Sequence, residues 1–205
     1  FIRSCQGGDI EVLQKKGGHT YASQVVTEVD RKAQDLILNQ LEPTCAADDL
    51  ALLTEESEDD RSRFEKDYFW CIDPLDGTLP FTHNERGYSV SIGLVARDGS
   101  PHIGVVYDPV DDVLWQGTRG QGILRNGIPW SMSSPANELT FTYDRSFESH
   151  PRQMRVLEAL ESYACSMGLR GLRAIHYGGA VINACHALEQ APGCHFKFAK
   201  PQEGG

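Results

Sequence analysis

The sequence predicts an α+β part over residues 1–145 followed by an α/β part over 146–205. Three observations lead there: a helical pattern followed by two short apolar runs, a dense series of strand and turn signals in the middle, and helix–strand alternation near the end. Val29, Ala33, Leu36, Ile37 and Leu41 recur at helical spacing, so a helix is expected from Thr27 to Pro43, where proline stops it and Cys45 to Asp49 forms a loop. Ala51 to Thr54 and Tyr68 to Ile72 read as strands joined by a charged excursion from Glu55 to Asp67, and both run into acidic residues. Strands follow at Tyr88 to Ala96, Ile103 to Tyr107, Val113 to Gly117 and Ile123 to Arg125. Turns at Asp98-Gly99 and Asp108-Pro109 and a hairpin at Asn126-Gly127 make this an antiparallel sheet. A strand from Leu139 to Tyr143, a helix from Pro151 to Met167 ending at Gly168, a strand near Leu169 to Ile175 and a helix from Gly179 to Glu189 complete the reading.

A chain of 205 residues with 40% hydrophobic residues can bury a real core. It holds no apolar stretch of the roughly 20 residues that cross a bilayer, and Phe1 does not open a signal segment, so a soluble cytoplasmic protein is expected. The six cysteines are scattered and read as reduced thiols, although an even number also allows disulfides. With 29 Asp and Glu against 19 Lys and Arg, the surface repels nucleic acid phosphates. A small anionic substrate meets the same repulsion unless a divalent cation stands between it and the carboxylates.

Asp73-Pro74-Leu75-Asp76-Gly77-Thr78 ends an apolar strand. Pro74 keeps the chain out of a helix, so both carboxylates can turn toward one point. Gly77 permits close backbone approach, and Thr78 supplies a hydroxyl and can open a helix that attracts phosphate. The plain alternative is an Asp-Pro and Asp-Gly turn closing a strand. Glu55 and Glu56 follow the preceding strand and would complete an oxygen site of the magnesium or calcium type, or form a solvated charged loop. Thr27 and Asp30 have capping-box spacing.

Taken in order, these segments resemble the inositol monophosphatase superfamily of magnesium-dependent, lithium-sensitive phosphatases. Val26-Thr27-Glu28-Val29-Asp30 is similar to its first acidic motif, Thr54-Glu55-Glu56-Ser57 to its Glu-Glu motif, and Trp70 to Thr78 to its WxxDPxDGT signature. Gly104 to Pro109, Gly120-Gln121-Gly122, Asn126-Gly127 and Gly178-Gly179-Ala180 continue the likeness over nearly the whole chain. The resemblance implies a layered α/β/α/β/α sandwich whose second part is incomplete here. It implies metal ligation by Glu55, Asp73, the Leu75 carbonyl and Asp76, with two or three Mg²⁺ ions. Thr78 and Glu55 would orient and help deprotonate the attacking water, and Asp30 would hold the surrounding network. Asp76, Gly77, Thr78, Gly178, Gly179 and Ala180 would contact a small phosphorylated metabolite, and a homodimer is compatible with the family. Members carry a further aspartate in a Trp-Asp motif, so the chain, ending Gln202-Glu203-Gly204-Gly205, is expected to be truncated, as it is before Phe1.

Other clusters carry less. Cys185-His186 and Cys194-His195 match no common zinc spacing. Asp108, Asp111 and Asp112 lack the twelve-residue calcium-loop pattern and read as turn residues, and His83 reads equally as a site-rim or a surface-loop residue. The expected activity is hydrolysis of inositol monophosphate or a related sugar or polyol phosphate. A 3'(2'),5'-bisphosphate nucleotidase is the close alternative, and a non-catalytic metal or phosphate binding module is the alternative of another class.

Overall fold

The computed structural model describes residues 1–8, 12–14, 25–132 and 136–198. The chain forms two compact units, Phe1–Trp130 and Ser131–Gly205. The sequence reading put this division near residue 145. It falls earlier because the strand Leu139–Tyr143 pairs in parallel with strands that follow it rather than extending the antiparallel series before it.

In the first unit, a short helix α1 (Ile2–Cys5) and an antiparallel pair, β1 (Val12–Gln14) and β2 (Val25–Thr27), lead into the long helix α2 (Glu28–Asp48). Thr27 caps α2 with a full capping box, in which the Thr27 hydroxyl accepts from Val29 N and Asp30 N and the Asp30 carboxylate accepts from Thr27 N, all at the helix N-terminus. The helix does not stop at Pro43 as expected: proline lies inside it, and the chain leaves the helix at Asp49 in a left-handed conformation. Pro43 forfeits one intrahelical bond. The turn around it is held from outside, because the Trp70 indole N–H donates to the Thr44 hydroxyl (3.0 Å). The buried face of α2 is Val29, Asp30, Ala33 and Gln34, whereas Leu36 is half exposed.

The strands β3 (Ala51–Thr54), β4 (Tyr68–Asp76), β5 (Ser89–Ala96), β6 (Pro101–Asp108), β7 (Val113–Thr118), β8 (Gly122–Arg125) and β9 (Ile128–Trp130) form one sheet in chain order. The β3–β4 pair is parallel and the pairs after it are antiparallel. A 3₁₀ turn at Ser62–Phe64 lies in the charged excursion. Asn126 and Gly127 take φ of 50° and 75°, the left-handed pair that a two-residue hairpin needs. The short helix α3 (Thr78–Thr82) follows β4 directly. Ile2, Val29, Ala33, Leu75, Phe81 and Tyr88 form one buried cluster. Phe81 and Tyr88 meet edge to face at 5.1 Å, and truncating either ring would cost about 3–5 kcal/mol.

The second unit contains β10 (Leu139–Tyr143), α4 (Arg145–Glu148), α5 (Gln153–Ser166), β11 (Leu172–His176), α6 (Ala180–Glu189) and β12 (Gly193–His195). Its sheet runs β11-β10-β12, all parallel, with the helices as crossovers. Leu139 to Thr142 are all buried, as a central parallel strand requires, and the two threonines among them need partners. Asn183 in α6 helps to supply one. Its carbonyl accepts the Thr142 hydroxyl (2.8 Å), and its side chain bonds Tyr143 O, Gly178 O and Tyr177 N.

Candidate metal and phosphate site

Residues three apart on a regular strand point to opposite faces. Asp73 and Asp76 escape that rule because β4 bulges between them: Asp73 pairs with Ser91 and Asp76 with Ser89, so three steps on β4 oppose two on β5. The extra residue shifts the pleat and brings both aspartates to the face that carries Ser89 and Ser91. Glu55 joins them from β3. The parallel register ends at Thr54 opposite Ile72, and the Glu55 N–H still donates to the Ile72 carbonyl (3.1 Å), which sets Glu55 alongside Asp73.

The electrostatics agree with this placement. Burial, then the negative charges of Glu55 and Asp76, then a hydrogen bond that the protonated Asp73 donates to Glu55 push the Asp73 carboxyl up to about 9, against a backbone bond from Leu75 N (3.1 Å). Both charged neighbours that move it are carboxylates, so the group crowds negative charge that a cation would offset. The hydroxyl of Ser89, on the same face as Asp76, is fully buried and has no hydrogen-bond partner among the described residues. Among the described residues no three His, Cys, Asp or Glu side chains are drawn together as tightly as an ion would hold them. The residues share a face and an all-oxygen donor set suited to a hard divalent cation.

Thr78 and Asp30 form the other half of the site. The Thr78 hydroxyl lies 2.9 Å from an Asp30 carboxylate oxygen and 3.2 Å from the Leu75 carbonyl. The second Asp30 oxygen accepts the Thr27 N–H (2.8 Å) and hydroxyl (2.5 Å). Asp30 thus both completes the capping box of Thr27 and partners Thr78. Burial raises its pKa over the lowering effect of the Thr27 and Thr78 bonds. Gly77 has φ +85°, and a Cβ there would lie 2.6 Å from the Gly87 carbonyl. No other residue fits the turn that delivers Thr78.

A family model described as "Inositol monophosphatase family" matches residues 6–194. The chain belongs to the inositol monophosphatase family. An inositol-1-monophosphatase of Synechocystis is 36% identical over 144 residues, 67% of this chain and 48% of that protein. A fructose-1,6-bisphosphatase/inositol-1-monophosphatase of Thermotoga maritima is 28% identical over 174 residues, 78% of this chain and 64% of that protein. Of solved structures, the extragenic suppressor protein suhB of Bartonella henselae superposes with a TM-score of 0.62 at 27% identity, covering 87% of this chain and 64% of that one. The chain spans about half the length of the first of these curated relatives.

Other inositol monophosphatase motif residues fall in the second unit. Gly178, Gly179 and Ala180 lead into α6, with Gly179 at its N-cap and Asn183 bonding Gly178 O at 2.9 Å. The cysteines and histidines near them have separate roles. Cys185 is buried in α6, His186 packs on the Tyr177 ring at 3.5 Å, and His195 Nδ1 lies 2.9 Å from the Thr142 carbonyl. All six cysteines are free. Asp108 caps its own turn through Val110 N and Asp111 N, Asp111 pairs with Arg86, and Asp112 with Arg3. His83 is an exposed residue at the end of α3. Gln202 to Gly205 lie outside the described residues, and no described helix is long and apolar enough to cross a membrane.

Sequence reasoning missed two residues. Ser89 gave no signal, because its relation to Asp76 depends on the bulge. Gln34 did give one: it stands four residues after Asp30 on the apolar side of α2, where a polar residue needs a reason.

Proposed function

We infer that this site is that of a Mg²⁺-dependent phosphatase acting on a small phosphate monoester, inositol monophosphate or a related sugar or polyol phosphate. The observation that carries the reading is the β4 bulge, which places Asp73 and Asp76 on one face beside Glu55, close enough that both neighbouring carboxylates raise the Asp73 pKa. Membership of the inositol monophosphatase family and the names of the Synechocystis and Thermotoga relatives support the substrate class.

In this reading Glu55, Asp73, Asp76 and the Leu75 carbonyl hold two or three Mg²⁺ ions. The ions supply positive charge that acidifies the attacking water and stabilises the leaving alkoxide. Thr78, with its proton directed to Asp30, leaves hydroxyl lone pairs to orient that water, and Glu55 accepts its proton. Asp30 holds Thr78 in place. The Gly77 and Thr78 amides meet the phosphate oxygens.

A panel of inositol monophosphate, fructose 1,6-bisphosphate and a 3',5'-bisphosphate nucleotide tests the reading. Phosphate release from the polyol or sugar esters, dependent on Mg²⁺, is expected. Release from the bisphosphate nucleotide alone would make the protein a nucleotidase. Mg²⁺ binding without release from any ester would make it a binding module.

A further inference from the structure

We propose that Gln34 is a positioning residue that sets the Glu55 carboxylate for cation binding, an inference that rests on the metal-site reading above. Gln34 is only 5% exposed and lies on the buried face of α2, one helical turn beyond Asp30. Its side-chain carbonyl accepts the Glu56 N–H (3.1 Å), and its amide N–H donates to the Ser57 hydroxyl (2.8 Å). Glu55 therefore sits between two anchors: its own N–H is tied to the Ile72 carbonyl, and the next two residues are tied to Gln34.

Gln34 adds a second hold, beside the Glu55–Ile72 bond, on the point where β3 ends and the charged excursion begins. The segment from Glu55 to Asp60 carries five carboxylates, whose mutual repulsion favours spreading the chain away from Asp73 and Asp76. A neutral amide suits the anchor because it can accept and donate at once without adding to that charge. One helix face then supports both halves of the site, Asp30 gripping Thr78 and Gln34 gripping the chain that bears Glu55. Groups that orient ligands in this way typically change metal affinity by about 10–100-fold when removed.

Calorimetric titration of Mg²⁺ into the wild type, Gln34→Leu, Gln34→Glu and Ser57→Ala tests the proposal without needing a substrate. Gln34→Leu should weaken Mg²⁺ binding by about tenfold or more. Gln34→Glu keeps the acceptor for Glu56 N–H and lets the Ser57 hydroxyl turn to donate but adds a charge to the acidic segment, so it should recover part of the affinity and bind Mg²⁺ more tightly than Gln34→Leu. Ser57→Ala removes one exposed partner, carries no folding risk, and should fall between the two. In turnover, the same order should appear in the Mg²⁺ concentration for half-maximal rate, with the substrate KM nearly unchanged. Wild-type-like affinity in Gln34→Leu and Ser57→Ala, or a Gln34→Glu variant as weak as Gln34→Leu, overturns the role of Gln34 while leaving the metal site standing. A wild type that binds no Mg²⁺ overturns both.

Discussion

Both units bury polar side chains, and they do so to opposite ends. In the second unit Asn183 is fully buried and its amide meets Tyr143 O, Gly178 O and Tyr177 N, so every hydrogen-bonding atom of the group has a partner. In the first unit Asp73 is pushed up to about 9 by burial and by two neighbouring carboxylates, and Ser89 keeps a buried hydroxyl without a partner among the described residues. Completed bonds around a buried polar group stabilise a fold. Crowded like charge on one sheet face works against the fold by itself and is retained where a ligand relieves it. Polarity in the interior is thus a poor guide to function until its partners are counted.

The contrast fails if variants in the two units behave alike. The largest expected effect is on turnover: if Asp73 is a ligand as proposed, Asp73→Asn removes a charge worth several kcal/mol to cation binding, and the Mg²⁺-dependent rate should fall by roughly a thousandfold. Steady-state phosphate release measures this, and a loss of less than about tenfold would put the cation elsewhere. Next comes Asn183→Ala, which leaves the partly buried Tyr177 N–H and Tyr143 carbonyl and the buried Gly178 carbonyl short of a partner. It should lower unfolding free energy by about 3 kcal/mol in denaturant titration, with Mg²⁺ affinity unchanged. Asp144→Ala should cost about 1 kcal/mol, because the Asp144 side chain accepts the Ser146 N–H (2.9 Å) at the start of α4.

The two units should also answer pH with opposite signs. The Asp73 pKa is raised, so the folded metal-free protein holds that proton more tightly than the unfolded chain. Its contribution is present below the ordinary value near 4 and is lost as pH rises toward about 9. Asp144 is lowered. Burial works against its charge, but the Ser146 hydrogen bond and the Lys197 ammonium at 3.3 Å outweigh that cost, so its contribution is present above pH 4 and lost below it. Thermal unfolding of the metal-free Asp73→Asn and Asp144→Ala variants across pH 3 to 9 separates the two. The first should flatten the alkaline side and the second the acid side.

Much of this was legible in the sequence because it depends on local chemistry. The hairpin at Asn126-Gly127, the capping box at Thr27 and Asp30, and the strand–acid junctions at Glu55 and Asp73 are set by residue type and short spacing. Features set by distant partners were misjudged. Pro43 reads as a stop, yet Trp70 anchors the turn that contains it. Leu139 to Tyr143 reads as one more strand of the first part, yet its pairing partners come later in the chain. The spacing of Asp73 and Asp76 would separate them on a regular strand, and only the register against Ser89 and Ser91 brings them together. Asp30 shows that one residue can satisfy two readings at once, since it completes the capping box of α2 and bonds Thr78.

The central claim is that crowded carboxylates on the β4 face form a cation site. Thermal unfolding of the wild type and Asp73→Asn near pH 8, each with and without Mg²⁺, tests it most directly. The account predicts that metal-free Asp73→Asn is at least as stable as the wild type, and that Mg²⁺ raises the midpoint of the wild type but not of the variant. An equal Mg²⁺ response in both proteins, or a metal-free variant clearly less stable than the wild type, would contradict it.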